Sequence, residues 1–447
     1  MDEPKGPNSI DKDHPREAGS IRDPASVPAV TLRHIAAVAL GNILEYYDLL
    51  TFSFFAVPIG HIFFPSNNPT TSLLGALATF MVGFLTRPLG GIVIGRFGDR
   101  AGRRPAMVLS LTLMGAGILG LALTPSYAAI GVAAPVIVIV CRMVQGFAVG
   151  GEIGPSTAFL LETAPVHRRG FYVSLQYATA DCAVLVAGLV GFIISSIMNE
   201  AALEAWGWRA AFLIGVAVVP VGLFIRRTLP ETLHAADSEA AAMPGGWRAY
   251  RSITILGLMM LAATTVMAYV RSYFTTFAIA TLHLPTNIAF GATVVTGLVS
   301  MTMEPVAGGV SDQFGRRPIM ILAASLLLVL IVPVFFMIVR LHGPAMLYGG
   351  VALISGLGAF VTVPALVAIA ETLPHHGRSG ALAIIYAVAI SIFGGSTQFA
   401  ITWLIKVTGN PLAAAWYLES ALVLGLIAML RLRESAPSRQ RFRLPSA

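Results

Sequence analysis

The sequence predicts an all-α membrane protein, with twelve transmembrane helices in two six-helix bundles related by an internal repeat. Three observations lead there. Of 447 residues, 56% are hydrophobic and only 11% charged, against about a quarter charged in a soluble domain. Apolar stretches of about 20 residues, long enough to cross the hydrocarbon core as a helix, follow one another from Leu32 to Leu432 with short polar turns between them. One loop also occurs twice, as GRFGDRAGRR at Gly95–Arg104 and GGVSDQFGRR at Gly308–Arg317. No strand alternation or βαβ pattern competes with this reading.

Residues 1–31 are polar and lack the apolar core of a secretory signal, so they read as a disordered cytoplasmic tail. Six spans follow at about 32–60, 72–95, 105–125, 129–161, 171–197 and 208–227, forming an N-terminal bundle over 32–228. The hydropathy breaks at 229–250, a Pro-, Gly- and Ala-containing stretch suited to a cytoplasmic linker. Six further spans, at about 252–282, 288–310, 318–340, 345–371, 379–405 and 411–431, form a C-terminal bundle over 251–432. Residues 433–447 are a short basic cytoplasmic tail. Arginines crowd the even-numbered connections: Arg96, Arg100, Arg103 and Arg104, then Arg168 and Arg169, Arg226 and Arg227, Arg316 and Arg317, and Arg378. Lys and Arg favour the cytoplasmic side, so both termini are expected there.

This charge pattern accounts for the net +7 and excludes a nucleic-acid partner, because the cations are scattered over turns that flank membrane spans. Cys141 and Cys182 fall inside spans and offer neither a disulfide framework nor a zinc spacing. No P-loop, HExxH or GxSxG motif occurs. The sequence therefore predicts no enzyme, no cofactor and no metal, and transport driven by a gradient rather than by ATP.

Charged side chains inside a membrane span are expensive and mark functional positions by default. Span 1 carries Asn42, Glu45 and Asp48 on one stripe, and span 4 carries Arg142, Gln145 and Glu152 on another. Span 2 carries Arg87, span 5 Gln176 and Asp181, span 7 Arg271, and span 8 Glu304. Each has a plainer reading. Glu45 or Asp48 equally serves as a fixed counter-ion to Arg142 or Arg87. Arg87 belongs either to a substrate site or to the cytoplasmic gate. Glu304 lies close to its loop and reads as a gate or salt-bridge residue. Arg271 has no acid in its own span, which suits an anionic ligand.

The twin loops predict a symmetric cytoplasmic latch. In each, an Asp (Asp99, Asp312) is placed to cap the positive N-terminus of a neighbouring helix. A glycine (Gly102, Gly315) makes the tight turn. The pairs Arg103–Arg104 and Arg316–Arg317 are placed to bond the acidic helix ends Glu162 and Glu371. Gly90, Gly91, Gly95, Gly146, Gly150 and Gly151 are expected to let helices approach closely.

The paired loops on a 6+6 plan resemble the major facilitator superfamily. Within it, Gly41-Asn42 with Glu45 and Asp48, Arg87-Pro88-Leu89-Gly90, Gln145-Gly146-Phe147 with Gly150-Gly151-Glu152, and Arg169-Gly170-Phe171 with Ser174 and Gln176 are similar to the metabolite:proton symporters. Gly150–Glu162 is most similar to the citrate and tricarballylate branch. Leu49 and Leu175 depart from the family pattern, and no C-terminal heptads of the osmosensing members occur. The resemblance implies a monomer in a bacterial inner membrane that takes up a small organic acid with protons, by alternating access. Arg142, Arg271, Arg87, Gln145, Gln176 and Asn42 are then the expected substrate contacts, and Asp48, Glu45 and Glu152 the expected proton carriers. Transport of another metabolite, or proton-driven export on the same fold, remains open at this point.

Overall fold

The computed structural model describes residues 46–150, 164–228, 246–373 and 378–437, together with the single positions 43, 157, 160 and 161. Asn42, Glu45, Glu152 and Glu162 lie outside the described residues, as do the side chains of Asp99 and Arg103.

The described chain is helical, with no strand. After a helical stretch at 46–54 come α1 (Ala56–Phe63), α2 (Pro69–Leu85), α3 (Arg87–Ala101), α4 (Arg103–Leu123), α5 (Ala133–Val149), α6 (Arg169–Ile197) and α7 (Trp208–Thr228). The second half holds α8 (Gly246–Ala280), α9 (Thr286–Phe314), α10 (Arg316–Leu341), α11 (Pro344–Thr372), α12 (Arg378–Ala389), α13 (Gly395–Thr408) and α14 (Ala413–Arg431). Nine described helices are long and apolar enough to cross a membrane, α2 with α3 and α12 with α13 each counting as one.

The boundaries follow local chemistry. Asn68 accepts a hydrogen bond from the Thr70 amide and precedes Pro69 at the first position of α2. Gly131, at φ +60°, separates the short turn Tyr127–Ile130 from α5. The fourth span therefore begins at Ala133 rather than near 129. The twin loops are mostly helix: α3 runs to Ala101 and α9 to Phe314, and the chain turns only at Gly102 (φ +106°) and Gly315 (φ +100°). The sequence repeat is thus a repeat of backbone geometry, at a conformation that only glycine adopts without strain. Helix α8 begins at Gly246, inside the segment expected as linker. The first residues after α14 fold back: Glu434 accepts from the Arg316 and Arg317 amides at 3.0 Å each, capping α10.

Buried hydroxyls in the spans return their hydrogen bonds to the preceding turn, as Thr51 does to Tyr47 O (2.6 Å) and Thr296 to Ala292 O (2.9 Å). This removes most of the cost of a polar group inside lipid.

The halves meet along two seams, α6 against α9 and α2 against α13. Glycine sets the first. A methyl group added at Gly308 would lie 2.5 Å from Gly170 O, at Gly297 2.6 Å from Leu185 Cα, and at Gly188 2.9 Å from the Val294 amide nitrogen. Backbones therefore touch at three levels. Gly90, Gly146 and Gly150 likewise seat α2 and α3 on α5 through backbone contacts. At Gly95 nothing among the described residues lies within 4 Å of an added methyl group, so no close helix approach is seen there. A five-residue π segment, Ile390–Gly394, interrupts the span formed by α12 and α13 where Gly394 and Gly395 pass Tyr269 and Phe84.

Candidate functional site

A cavity opens between the halves. Its lining includes Tyr46, Tyr177 and Asp181 from the N-terminal half and Tyr269, Arg271 and Tyr386 from the C-terminal half. Helix α6 delivers Tyr177 and Asp181 one turn apart, and α8 delivers Tyr269 and Arg271.

The sequence-predicted residues fall into two clusters rather than one. The first is within the N-terminal half. Arg142 (2% exposed) donates to Gln145 Oε1 at 2.6 Å and faces Asp48 at 3.9 Å, and Gln145 Nε2 reaches Asp48 at 3.5 Å. The Arg142 guanidinium lies 4.5 Å from the Phe52 ring centre and 5.5 Å from that of Phe80. These rings add cation–π attraction to the pull of the Asp48 carboxylate. Arg87 is buried over the Phe84 ring at 4.1 Å and, among the described residues, has no carboxylate partner. It feels Arg142 electrostatically, and both feel Tyr269 across the seam. The first cluster therefore holds two cations against one described acid, Asp48.

The second cluster straddles the halves. Arg271 faces Asp181 at 3.7 Å and donates to Ser300, one turn before Glu304 on α9. Arg271 lines the cavity, whereas Arg142 and Gln145 lie behind its wall. Gln176 is not a cavity residue either; it accepts from Thr157 at 2.8 Å. Glu304 is fully buried on the inner face of α9, not part of a gate as its place in the sequence suggested. Gln398 was not anticipated. Its amide spans the halves, with the Ser53 hydroxyl donating to Oε1 (2.8 Å) and accepting from Nε2 (2.6 Å). A lone amide in an apolar span was the available signal.

At the arginine-rich end, Asp312 accepts from the Gly170 amide at 2.8 Å and the Phe171 amide at 2.9 Å, capping α6 of the other half. Arg316 clamps Asp312 at 2.6 Å and Glu371 at 3.2 Å. Ser435 adds a bond to Glu371 at 2.7 Å. Arg317 differs from expectation: its guanidinium bonds Leu430 O at the end of α14, inside its own half. Arg104 is exposed. Among the described residues no group of His, Cys, Asp and Glu is arranged to hold a metal, and both cysteines are free.

Comparison with known proteins places this architecture. Residues 38–397 match the family model of the Major Facilitator Superfamily. The chain is 33% identical over 430 residues to a citrate-proton symporter of Klebsiella pneumoniae, covering 94% of this chain and 96% of that one. It is 35% identical over 402 residues to the alpha-ketoglutarate permease of Escherichia coli K12, covering 89% and 93%. It is 32% identical over 438 residues to the proline/betaine transporter of the same strain, covering 93% and 86%. All three are transporters rather than enzymes. The crystal structure of a D-xylose-proton symporter superposes with a TM-score of 0.76 at 19% identity, over 91% of this chain and 98% of that one, so the fold is shared. With its twelve-span plan, its duplicated glycine turn and the match over residues 38–397, this multi-pass membrane protein belongs to the Major Facilitator Superfamily.

Proposed function

We propose that the chain is a proton-coupled symporter that takes up a small organic acid, a di- or tricarboxylate such as citrate, across a bacterial inner membrane with both termini cytoplasmic. The observation that carries this reading is Arg87, a buried guanidinium near the seam that has no carboxylate partner among the described residues. Arg87 and Arg142 face one described acid on one side, and Arg271 lines the cavity on the other. Buried cations without full compensation suit an anion that arrives and leaves. Kinship with the citrate-proton symporter and the alpha-ketoglutarate permease agrees.

Two steps follow from the geometry. An entering carboxylate takes Arg271, which lines the cavity, and a second carboxylate of the same substrate moves past that lining to replace Asp48 at Arg142. The Asp48 contacts, at 3.9 and 3.5 Å, are longer than good charged hydrogen bonds, so little is lost in the exchange. Released from its cation in a buried place, Asp48 then takes the proton that travels with the substrate. The seams at α6–α9 and α2–α13 open and close in turn around the loaded cavity.

A second reading has its own observation. Tyr46, Tyr177, Tyr269 and Tyr386 line the cavity, and aromatic walls suit a quaternary ammonium. A zwitterion of the kind named for the proline/betaine relative would use the same arginines for its carboxylate. A thermal-shift screen of the purified protein against mono-, di- and tricarboxylates, proline and betaine at two pH values separates the two. Stabilisation by citrate or another polycarboxylate supports the first, and stabilisation by betaine alone replaces it with the second.

A further inference from the structure

The α6–α9 seam buries more acid than base. Glu304 has no exposed surface, and no hydrogen-bond donor among the described residues reaches either of its carboxyl oxygens. The groups that face it are Asp181 and Tyr177 of α6 and Arg271 of α8, with Tyr386 of α12 next to Tyr177. Arg271 is already engaged by Asp181 and Ser300, and its Nε has no partner. Two carboxyls therefore share one guanidinium. If both were ionised, the membrane interior would hold an uncompensated negative charge, at a cost of several kcal/mol. A carboxyl set beside a second carboxyl gains a hydrogen bond from it only if one of them carries a proton.

We propose that Asp181 and Glu304, one acid from each half, form a proton-binding site that holds a single proton across the seam. This is an addition to Asp48 and deepens the symport reading on which its transport role rests. The site is coupled to the substrate through Arg271, which faces Asp181 at 3.7 Å and lines the cavity. A substrate carboxylate that draws Arg271 away leaves the pair without its cation, so the pair holds its proton more firmly. Anion binding and proton binding therefore favour each other, the sign that symport requires. When α6 and α9 part, the two acids separate, each meets water, and the proton leaves.

Infrared difference spectroscopy of the purified full-length protein during a pH titration reads a protonated carboxyl directly through its C=O stretch. Asp48→Asn, taken as the background so that the Asp48 carboxyl does not contribute, should show such a band disappearing as pH rises, and the variants for this measurement are made in it. Glu304→Gln should abolish it. Asp181→Asn should abolish it too, because Glu304 then becomes the counter-ion of Arg271 and ionises. A band that survives in Glu304→Gln overturns the proposal. If that variant does not fold, survival of the band in Asp181→Asn does the same. This measurement needs no transport, so it stands apart from the symport reading. In liposomes with citrate as probe, the protons carried per citrate, taken from reversal potentials, should fall by one in Glu304→Gln. An unchanged ratio overturns the coupling role, whereas absence of proton flux in wild type overturns the symport reading and leaves the infrared result intact.

Discussion

A single methyl group at Gly297 should slow transport, and the same methyl group twelve residues later should not. At Gly297 the added carbon would lie 2.6 Å from Leu185 Cα, where ordinary contact begins at 3.4 Å. The shortfall is about 0.8 Å, and the obstacle is backbone, so no side-chain rotation relieves it. Helices α6 and α9 must move apart. Overpacking of this kind costs about 1–3 kcal/mol, which lowers the population of the closed seam by about 5- to 150-fold. Gly309, on the same helix, has nothing among the described residues within 4 Å of the equivalent position. Replacing glycine by alanine in a helix otherwise gains up to about 1 kcal/mol, so Gly309→Ala should be silent or slightly stabilising. The assay is uptake into proteoliposomes, paired with spin-label distances between α6 and α9. Gly297→Ala should lengthen the distance distribution and cut the rate by at least fivefold. Wild-type rate and distances in Gly297→Ala would show that closing this seam is not part of the cycle.

Three other outcomes are expected. Asp48→Asn should abolish gradient-driven accumulation while sparing exchange of substrate across the membrane, measured as counterflow; normal accumulation removes Asp48 from the coupling role. Arg142→Lys loses the stacking on Phe52 and Phe80 and the fork toward Gln145 and Asp48, so substrate affinity by thermal shift or equilibrium binding should weaken about tenfold, from 1–2 kcal/mol of lost cation–π and hydrogen-bond energy; unchanged affinity excludes it from the site. Asp312→Asn gives up the charge that caps α6 and pairs with Arg316, worth about 1.5–3 kcal/mol for a charged hydrogen bond. Labelling of a cysteine placed beneath that cap should accelerate about tenfold or more, and an unchanged labelling rate would remove it from the latch.

Hydropathy carried most of the fold, because lipid demands helices of one length and leaves little else to choose. The glycine turns were legible for a related reason: an extended backbone at positive φ between two helices admits almost no other residue, and the pair Gly102 and Gly315 repeated in sequence and in φ. The site was only half legible. Asp48, Arg142 and Gln145 share a stripe pattern and do meet. Glu304 was misread because Gly308–Asp312 looked like a loop. The helix in fact continues to Phe314, which puts Glu304 ten residues, about 15 Å, inside its end. The split into two clusters was invisible in sequence, since side-chain spacing on one helix says nothing about which neighbour it meets. Gln176 and Arg317 took partners within their own halves for the same reason.

The two ends of the molecule are fastened by different chemistry. At the arginine-rich end the link is a buried carboxylate, Asp312, on the Gly170 and Phe171 amides of the other half, held in place by Arg316. Toward the opposite end, the described links between halves are the neutral Ser53–Gln398 pair, the Phe55 and Phe290 rings 4.9 Å apart, and Lys406 donating to the Thr71 hydroxyl. Both ties are sheltered from dissolved electrolyte, the first because its ions are buried and the second because it is largely uncharged. One door then unlatches only by pulling a sheltered charge from its partners, while the other answers chiefly to temperature and to the shape of whatever fills the chamber.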